Sequence, residues 1–518
     1  MSMRTRLASL LLAGIFLGAG FLWSTNRGPS PDGNAAPESP APAASPTSEP
    51  SPSRTIAARP PSPSSTPSPS PTPPPAAPPR EEALEHAALR AALEDLLVDP
   101  GTGPDSVLGV VVLDASGATV LDAGGDEPLL PASTQKLVTA AGALAQLGPE
   151  HRFTTTAEAA GSIDADGTLA GDLILVGGGD PVLASPVFAA QVEPNRPHTP
   201  LAALADRIVA AGVRRVTGRV VGDATVFAEE HMPAGWDPGY LSSLNGVRTA
   251  GLTVDAGRSL GVRDGRVTAS PSDKPALQAA VQLQILLVER GVAIDGGAGT
   301  GAASGTTTEL GRIDSPPLRD LLAHLVKTSD NQLADGIFRS VGAAGGDPTW
   351  TGSAAAIRDT LAPLRLDWSG TMVADGSGLS REDRLSAGFL ARLDLEMSRS
   401  ELANEWERLM AVSGEPGTLR RRLVGTVAEG RVRGKTGTLR DVRSIAAAVT
   451  GPEDARYHFA VVGNRLTGDG PTAVRSLQDE IALLLVEDLY GCVRVEVPAT
   501  GSAAEPPSPP PVELQCAA

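Results

Sequence analysis

The sequence predicts an α+β protein whose antiparallel sheet and flanking helices come from both ends of the folded chain, with a β-rich region inserted between them. Two observations lead to this fold class. A helix and a strand pair are predicted early in the folded chain, and three strands and a long helix near its end. Between them, residues 155–310 are rich in short strand patterns and glycine turns.

The first segment of the 518-residue chain has the pattern of an export signal. Arg4 and Arg6 precede an apolar run over Leu7–Trp23, which is the order of a charged and then apolar signal sequence. The run is long for a signal peptide and slightly short for a membrane span, and no A-x-A cleavage pattern follows it. Residues 1–26 are therefore expected to direct export, as a cleaved leader or as an uncleaved membrane anchor. We expect the protein at the cell wall or the outer face of the plasma membrane.

Residues 27–80 are predicted to be a disordered linker. The part from residue 28 onward contains 19 of the chain's 46 prolines, interleaved with Ser, Ala and Thr. Such a composition cannot bury enough apolar surface to fold, and it favours extended polyproline-like conformations. A spacer between membrane and wall and a passive tail are both consistent with it.

Folded sequence is expected from Glu81. Leucines at helical spacing predict a helix over Glu81–Val98. The other predicted elements are strands Val107–Asp114 and Ala118–Leu121, helix Ser133–Leu147, strands Arg433–Leu439, Ser444–Val449 and His458–Asn464, and helix Val474–Leu489. Residues 81–154 and 311–490 are predicted to form one discontinuous domain, followed by a tail over 491–518.

The region 155–310 is predicted to be a β-rich insertion. Its short strands and glycine turns are placed at Gly171–Val176, Gly177–Gly179, Gly218–Gly222 and Leu252–Asp255. The sequence Gly-Gly-Gly-Asp-Pro that starts at Gly177 lacks the G-x-G-x-x-G spacing, and Pro181 would prevent a helix from opening there. A tight turn is therefore predicted, and a phosphate-binding loop is not.

Composition excludes several function classes. The formal net charge of −17 leaves no basic face for a nucleic-acid partner. Cys492 and Cys516 belong to no C-x-x-C pair, and the six histidines form no H-E-x-x-H array, so neither a metal site nor a cofactor is predicted. The two cysteines could form a disulfide or stay as two thiols.

Lysine usage points to particular positions. Lysine occurs at positions 136, 274, 327 and 435, whereas the other basic residues are arginines. Of these two residue types, only lysine can lose its proton in a protein and act as a base. Two of the four lysines lie inside the short motifs described next, and a third lies two residues from one.

The first motif is Ser-Thr-Gln-Lys at the start of a predicted helix. The three-residue spacing places Ser133 and Lys136 on one helix face. A serine hydroxyl needs a neighbouring base to become a nucleophile, and burial can depress the pKa of Lys136 enough to supply one. The helix N-terminus also offers backbone N–H groups for a developing oxyanion.

The second and third motifs are Ser-Asp-Asn, from Ser329 to Asn331, and Lys-Thr-Gly-Thr, from Lys435 to Thr438. The first follows an apolar helix over Leu318–Val326, and the second lies on a predicted strand. Gly437 would allow a substrate backbone to approach closely. Each motif is weak alone, whereas the three in this order form a strong signal.

This ordered set resembles the active-site serine penicillin-recognising enzymes, which are penicillin-binding proteins and serine β-lactamases. Ser329 lies 193 residues after Lys136, a longer link than in typical β-lactamases. The long insertion resembles the D-alanyl-D-alanine carboxypeptidase/endopeptidase family, peptidase family S13, also called class C low-molecular-mass penicillin-binding proteins. The stretches Gly171–Leu183, Asp375–Arg381 and Gly417–Leu439 resemble that family too, and the likeness covers roughly residues 85 to 490.

The resemblance implies a penicillin-binding-protein-like transpeptidase domain that cleaves the D-Ala-D-Ala bond of peptidoglycan stem peptides and is inhibited by β-lactams. In that scheme Ser133 is the nucleophile, Lys136 the general base and Ser329 the proton relay. The substrate-binding residues are Asn331, Lys435, Thr436, Gly437 and Thr438, and the backbone N–H groups of Ser133 and Thr438 form the oxyanion hole. The activity would be D,D-carboxypeptidase, with or without D,D-endopeptidase.

Two alternatives stay open, a serine β-lactamase and a wall protein that binds penicillin or peptidoglycan without turnover. No E-x-x-L-N loop lies between Ser329 and Lys435, which disfavours the first, and intact motifs disfavour the second. Departures from the family at Leu241–Gly246 and Leu439–Ser444 leave the substrate-side contacts open, and the sequence gives no oligomeric state.

Three neighbouring features are interpreted structurally. The loop Asp375–Arg381 is expected to line the site. Ser380 with Asp383 is expected to cap a helix, and His324 is expected to lie in the apolar core.

Overall fold

The main sheet is antiparallel and uses both ends of the folded chain. The computed structural model describes residues 86–496 and 512–516, so the predicted export signal and most of the linker lie outside the described residues. In spatial order the strands are Ala411–Val412, Val432–Leu439, Val442–Thr450, Arg456–Asn464, Val107–Asp114 and Thr119–Ala123. Adjacent strands of this sheet pair antiparallel throughout, which confirms the predicted α+β class.

Helices cover both faces of the main sheet. Val110 and Val112 pack towards the terminal helices Ala87–Leu97 and Gly470–Leu489. Val111 and Leu113 pack towards the central helices, because alternate side chains of a strand point to opposite faces. Those central helices are Gln135–Leu147, Leu318–Thr328, Asn331–Ala344, Trp350–Thr360, Ala387–Arg399 and Ala403–Leu409. Each fully buried Val or Leu contributes roughly 1.5–3 kcal/mol, so the sheet is firmly held between its two layers.

The predicted elements of this part are present, with ends shifted by up to four residues after residue 100. The first turn of the predicted helix Ser133–Leu147 is a 3₁₀ turn over Ala132–Thr134, and the α-helix begins at Gln135. The predicted helix Glu81–Val98 is described from Ala87 to Leu97.

A second sheet occupies the inserted region. Its strands follow the order Ala293–Ile294, Arg215–Val216, Thr168–Val176, Thr154–Ile163 and Thr308–Asp314, while Val220–Asp223 pairs with Thr168–Val176 and with Ala298–Thr300. The sheet is mixed, since Thr168–Val176 pairs antiparallel with one neighbour and parallel with two others. Short pairs Leu183–Ala184 with Thr199–Pro200 and Arg258–Arg263 with Arg266–Pro271 lie beside it. The domain boundaries at 154/155 and 310/311 stay a prediction.

The description of the insertion as β-rich is incomplete, because two helices pack on this sheet. Leu201–Ala210 and Pro275–Glu289 bury leucines against Leu173 and Leu175. A short helix over Gly239–Ser242 adds a third helical segment. Leu252–Asp255 is not a strand; it leads into a 3₁₀ turn over Asp255–Gly257.

The glycines at 177 and 178 lie in a loop where other backbone segments come close. A Cβ atom at Gly177 would lie 2.4 Å from the carbonyl oxygen of Gly251, and one at Gly178 would lie 2.1 Å from that of Thr154. These glycines therefore serve packing between segments.

Cys492 and Cys516 form a disulfide, which selects one of the two alternatives left by the sequence. Strands Val493–Glu496 and Val512–Gln515 pair antiparallel beside it. Across residues 86–496 and 512–516, no helix is both long and apolar enough to cross a membrane.

Candidate active site

The three sequence motifs meet at one cavity of about 730 Å³. Ser133 comes from the turn before helix Gln135–Leu147, Ser329 and Asn331 from the turn between two central helices, and Thr436 and Thr438 from a strand of the main sheet. Side chains separated by about 300 residues in the chain therefore line one space.

Ser133 lies at a strained point of the backbone. The preceding Ala132 has a φ angle of 48°, a left-handed conformation that costs a non-glycine residue on the order of 1–3 kcal/mol. The hydroxyl groups of Thr134 and Ser444 both donate to the carbonyl oxygen of Pro131, at 2.7 and 2.6 Å. These bonds hold the turn so that Ser133 reaches the cavity.

Lys136 is completely buried below Ser133 and makes three short contacts. Its Nζ atom lies 3.0 Å from Ser133 Oγ, 2.7 Å from Asn331 Oδ1 and 2.5 Å from the carbonyl oxygen of Ser377. A neutral amine has two N–H donors and one lone pair. Three partners of this kind suit it, because Asn331 and Ser377 can each accept a hydrogen bond while the Ser133 hydroxyl donates to the lone pair.

Burial lowers the pKa of Lys136 to about 8, against the opposing effect of nearby carboxylates, first Asp335 and then Asp375, Asp330 and Asp383. Desolvation disfavours the ammonium form, whereas negative charges favour it. The result is an amine that loses its proton near neutral pH, as a general base requires.

The Ser-Asp-Asn turn joins two central helices at the cavity. Ser329 ends helix Leu318–Thr328 in a left-handed conformation with φ 64°, and Asp330 caps the next helix by accepting from the backbone N–H of Leu333 at 3.0 Å. Asn331 contacts Lys136, and its Nδ2 donates to the carbonyl oxygen of Asn245 at 2.8 Å. The hydroxyl of Ser329 lines the cavity but makes no hydrogen bond to Lys136.

The third motif places its residues on opposite faces of the strand. Thr436 and Thr438 line the cavity, whereas Lys435 is completely buried and its Nζ donates to the carbonyl oxygen of Thr436 at 2.6 Å. Burial, together with the charge of Lys136, holds the pKa of Lys435 well below its usual value. The predicted role of Lys435 in binding a substrate carboxylate stays a prediction.

The close approach expected at Gly437 is made by the protein itself. A Cβ atom there would lie 2.1 Å from Ser444 Oγ, 2.7 Å from the carbonyl oxygen of Pro131 and 3.0 Å from the backbone nitrogen of Ser133. The glycine lets the strand lie directly against the nucleophile turn, which aligns Ser133 with Thr438.

The loop Asp375–Arg381 lines the site, as expected. The carboxylate of Asp375 accepts from the backbone N–H groups of Ser377, Gly378 and Ser380, at 3.0, 2.6 and 2.8 Å. It also accepts from Trp236 Nε1 at 2.7 Å. These bonds fix the Ser377 carbonyl that Lys136 contacts.

Two structural interpretations of neighbouring residues are wrong. No helix begins at Ser380; its hydroxyl donates to the carbonyl oxygen of Ala234 at 2.7 Å, and the next helix is capped by Ser386. His324 is not in the apolar core, since its Nε2 lies 3.7 Å from Asp330 Oδ2 at the edge of a second cavity.

The sequence motifs did not identify several residues of the cavity wall. Asp237, Tyr240 and Asn245 come from the inserted region. Arg381, whose backbone N–H donates to the carbonyl oxygen of Gly235 at 2.9 Å, forms a two-point ion pair with Asp441, both contacts being 2.8 Å. Both segments where the sequence departs from the family contribute to the wall, through Asn245 and Asp441. They carry no motif of their own, so only the fold brings them to the site.

Comparisons with known proteins agree with this architecture. The model of the D-Ala-D-Ala carboxypeptidase 3 (S13) family matches residues 89–269 and 261–486. A D-alanyl-D-alanine carboxypeptidase of an Actinomadura species is 30% identical over 473 residues, covering 77% of this chain and 84% of the relative. Carboxypeptidase DacB of Mycolicibacterium smegmatis is 29% identical over 403 residues, covering 75% and 82%.

The fold agrees with a solved structure as well. The crystal structure of penicillin binding protein 4 from Haemophilus influenzae superposes with a TM-score of 0.64 at 22% identity, covering 75% of this chain and 99% of that chain. With the family match spanning most of the chain, the conclusion is direct: this chain belongs to the D-Ala-D-Ala carboxypeptidase 3 (S13) family.

Proposed function

We propose that the protein is a serine D,D-peptidase that cleaves the D-Ala-D-Ala bond of peptidoglycan stem peptides and is acylated by β-lactams. The observation that carries this proposal is the 3.0 Å contact between Ser133 Oγ and the buried amine of Lys136. Membership of the family and the similarity to named carboxypeptidases supply the substrate class.

The first half of the reaction acylates the enzyme. Neutral Lys136 takes the proton of Ser133 as Oγ attacks the carbonyl carbon of the penultimate D-Ala residue. The oxyanion that forms accepts hydrogen bonds from the backbone N–H groups of Ser133 and Thr438. The proton then passes, through Ser329, to the amine of the departing D-Ala, and the C–N bond breaks.

The second half releases the acyl group. A water molecule gives its proton to Lys136 and attacks the ester carbonyl, and the C–O bond to Ser133 breaks as that oxygen regains a proton. Before acylation, the carboxylate of the substrate's terminal D-Ala is held by the hydroxyl groups of Thr436 and Thr438 at the cavity wall, with the amine of Lys435 as its cation, and Asn331 orients the peptide amide.

Export of the chain to the wall completes the proposal, since the substrate lies outside the cytoplasm. Arg4, Arg6 and the apolar run Leu7–Trp23 support an N-terminal signal or membrane anchor. Fractionation of cells, with N-terminal sequencing of the mature chain, tests export and distinguishes a cleaved leader from an anchor.

Labelled penicillin tests the nucleophile. Wild-type protein is expected to form a covalent adduct, and Ser133→Ala is expected to form none. Persistent labelling of Ser133→Ala would refute the assignment. The single-residue control is Ser329→Ala, which keeps the nucleophile and should label, more slowly.

Two substrates then separate the activities. Incubation with a wall pentapeptide and with a cross-linked peptide dimer, followed by mass spectrometry, shows whether terminal D-Ala is lost, the cross-link is cut, or both. Adducts that label but never turn over either peptide would favour a binding protein without catalysis. Rapid release of the penicillin adduct would favour a β-lactamase.

A further inference from the structure

A buried arginine of the inserted region contacts the second motif. Arg196 is 6% exposed and follows the helical turn Phe188–Val192. Its guanidinium lies 2.8 Å from Asp330 Oδ2 and also donates to Gln332 Oε1. A further contact, at 3.4 Å, reaches the carbonyl oxygen of Pro181. A rigid fork of donors therefore joins the insertion to the motif and to the residue just after it.

Asp330 is the member of the motif for which the proposed reaction has no task. One of its oxygens caps the helix that begins at Asn331, and the other faces Arg196 and His324. Burial alone would raise the pKa of Asp330, but the charge of Arg196, the nearby His324 and the hydrogen bond from the Leu333 N–H hold it far below its usual value. Asp330 is thus a permanently charged anchor, and Arg196 is its strongest partner.

The turn that Asp330 anchors carries the two groups needed at the reacting atoms. Asn331 accepts from Lys136 at 2.7 Å, and Ser329 is held left-handed at φ 64°. A left-handed serine persists only where its surroundings enforce it. The Arg196–Asp330 ion pair is the contact that does this from the insertion side, and the bond from Asn331 to the carbonyl of Asn245 is a second one.

We propose that Arg196 is a positioning residue for catalysis: through Asp330 it sets the Ser329–Asn331 turn, so that the inserted region is a working part of the active site. This inference rests on the proposed function, because it requires Ser133 to be acylated with Lys136 as base. It assigns the insertion a task beyond that function.

The test measures the rate of acylation by labelled penicillin in full-length protein. Arg196→Met keeps the length of the side chain but removes its charge and donors, and we expect a loss of ~10–100-fold, the size expected when reacting groups are misplaced by about 1 Å. Arg196→Lys keeps the positive charge but lacks the planar set of guanidinium donors. Its acylation rate should therefore lie between those of the wild type and Arg196→Met. The matched control is Arg290→Met, because Arg290 is a partly buried arginine of the inserted region that pairs with an aspartate, Asp206, and contacts neither Arg196 nor the motif; it should acylate at the wild-type rate.

A double-mutant cycle shows whether the effect passes through Asp330. Asp330→Asn keeps a helix-capping oxygen and removes the charge that Arg196 binds. If the inference holds, Arg196→Met lowers the acylation rate by a much smaller factor in the Asp330→Asn background than in the wild type. An equal loss in both backgrounds, or a wild-type rate for folded Arg196→Met, overturns the inference.

The pH profile gives a readout that a general loss of stability would not move. The amine of Lys136 is faced by Asp330, Asp335, Asp375 and Asp383, and by Lys435 on the neighbouring strand, while Asp330 is faced by Arg196 and His324. Removing Arg196 leaves more uncompensated negative charge near Lys136, which favours the ammonium. The acid limb of the acylation profile should therefore move to higher pH in Arg196→Met, and an unmoved limb counts against the inference.

Two controls keep this result apart from the proposed function. The wild type must be labelled by penicillin and Ser133→Ala must not be labelled. Any other result contradicts the proposed function and not only the role of Arg196. If Arg196→Met does not fold, as judged by thermal unfolding, Arg196→Lys carries the same cycle, and Arg196→Gln, which also lacks the charge, carries the pH measurement.

Discussion

Two buried lysines belong to the motifs that meet at the cavity, and the charges around them differ. Lys136 has three hydrogen-bond partners within 3.0 Å, and four aspartates act on its pKa. Lys435 is equally buried, donates to one carbonyl, and is repelled by Lys136. Burial lowers the pKa of both, but carboxylates offset much of the effect at Lys136, whose pKa is about 8.

The difference teaches that burial alone makes a neutral lysine but does not make a useful base. A base must bind a proton when it receives one and release it again, so its pKa must lie near the working pH. The aspartates provide this at Lys136. At Lys435 the amine has no salt bridge to any described residue, which suits a group that becomes charged only when an anionic substrate arrives.

The largest expected effect comes from Lys136→Arg. The guanidinium keeps the positive charge but cannot release its proton, so Ser133 loses its base, and general-base catalysis is worth ~10²–10⁴-fold. The second-order rate of penicillin acylation at pH 7 measures the loss. A rate within a few-fold of wild type would exclude Lys136 as the base and would remove the contrast between the two lysines.

A smaller loss is expected from Lys435→Met. The substitution keeps most of the side-chain volume and removes the bond to the Thr436 carbonyl and the charge that an anionic substrate would induce. A charge-assisted hydrogen bond contributes ~1.5–3 kcal/mol, which corresponds to roughly 10–150-fold in acylation. Comparing a peptide that has a free terminal carboxylate with its amide sharpens the test, because only the peptide with the free carboxylate should acylate the variant more slowly. Equal losses for acid and amide would show that Lys435 supports the strand and does not serve the carboxylate.

The sequence was sufficient to predict the parts of the site that depend on local spacing. Ser133 and Lys136 lie three residues apart at a helix start, and the strand carrying Lys435 to Thr438 follows a period-two pattern, so both could be located from the chain alone. The hydrogen bonds of Ser329 and the burial of Lys435 depend on which way a side chain turns inside the folded core, which no local pattern encodes.

The inserted region was less predictable for a related reason. Helix Pro275–Glu289 is apolar around much of its circumference and contains β-branched residues, so its pattern does not differ clearly from that of a buried strand. The contacts of Arg196 with Asp330, and of Trp236 with Asp375, join residues more than 130 positions apart. Such contacts carry no sequence motif, and they are the ones that make the insertion part of the site.

Asp335→Asn tests the tuning of Lys136 directly. Among the carboxylates that raise the pKa of Lys136, Asp335 has the largest effect, and asparagine can still accept from the backbone N–H of Gly376, which lies 3.0 Å away. Removing the negative charge disfavours the ammonium, so the pKa of Lys136 falls and the acid limb of the acylation profile moves to lower pH. At neutral pH the rate should change less than tenfold. A limb that stays in place would mean that Asp335 is already protonated when Lys136 titrates.

The smallest effect on acylation is expected from Asp255→Asn, which makes the same change at a buried carboxylate of the insertion. Asp255 is not exposed, and its Oδ1 accepts from the backbone N–H of Ser185 at 2.7 Å. Burial raises the pKa of Asp255 to about 6, against the hydrogen bonds from Ser185. The acid limb should coincide with that of wild type, because no charge near Lys136 has changed. A shifted limb would show that a distant buried carboxylate also changes the pKa of Lys136, so that the shift in Asp335→Asn is not specific to a neighbouring charge.

Stability should respond at Asp255 even though acylation does not. Since the folded pKa lies above the usual value of 3.8, the native state binds the proton more tightly, and this contribution is lost as pH rises from about 4 through about 6. The wild type should therefore lose on the order of 3 kcal/mol from this group over that window, whereas Asp255→Asn should not. Urea unfolding of both proteins at pH 4.5 and 7.5 measures the difference, and a gap between them that does not change with pH would contradict it. A buried carboxylate thus lowers the free energy of unfolding at neutral pH when it lies in the insertion. Beside Lys136, buried carboxylates instead raise the pKa of the amine enough for it to hold a proton.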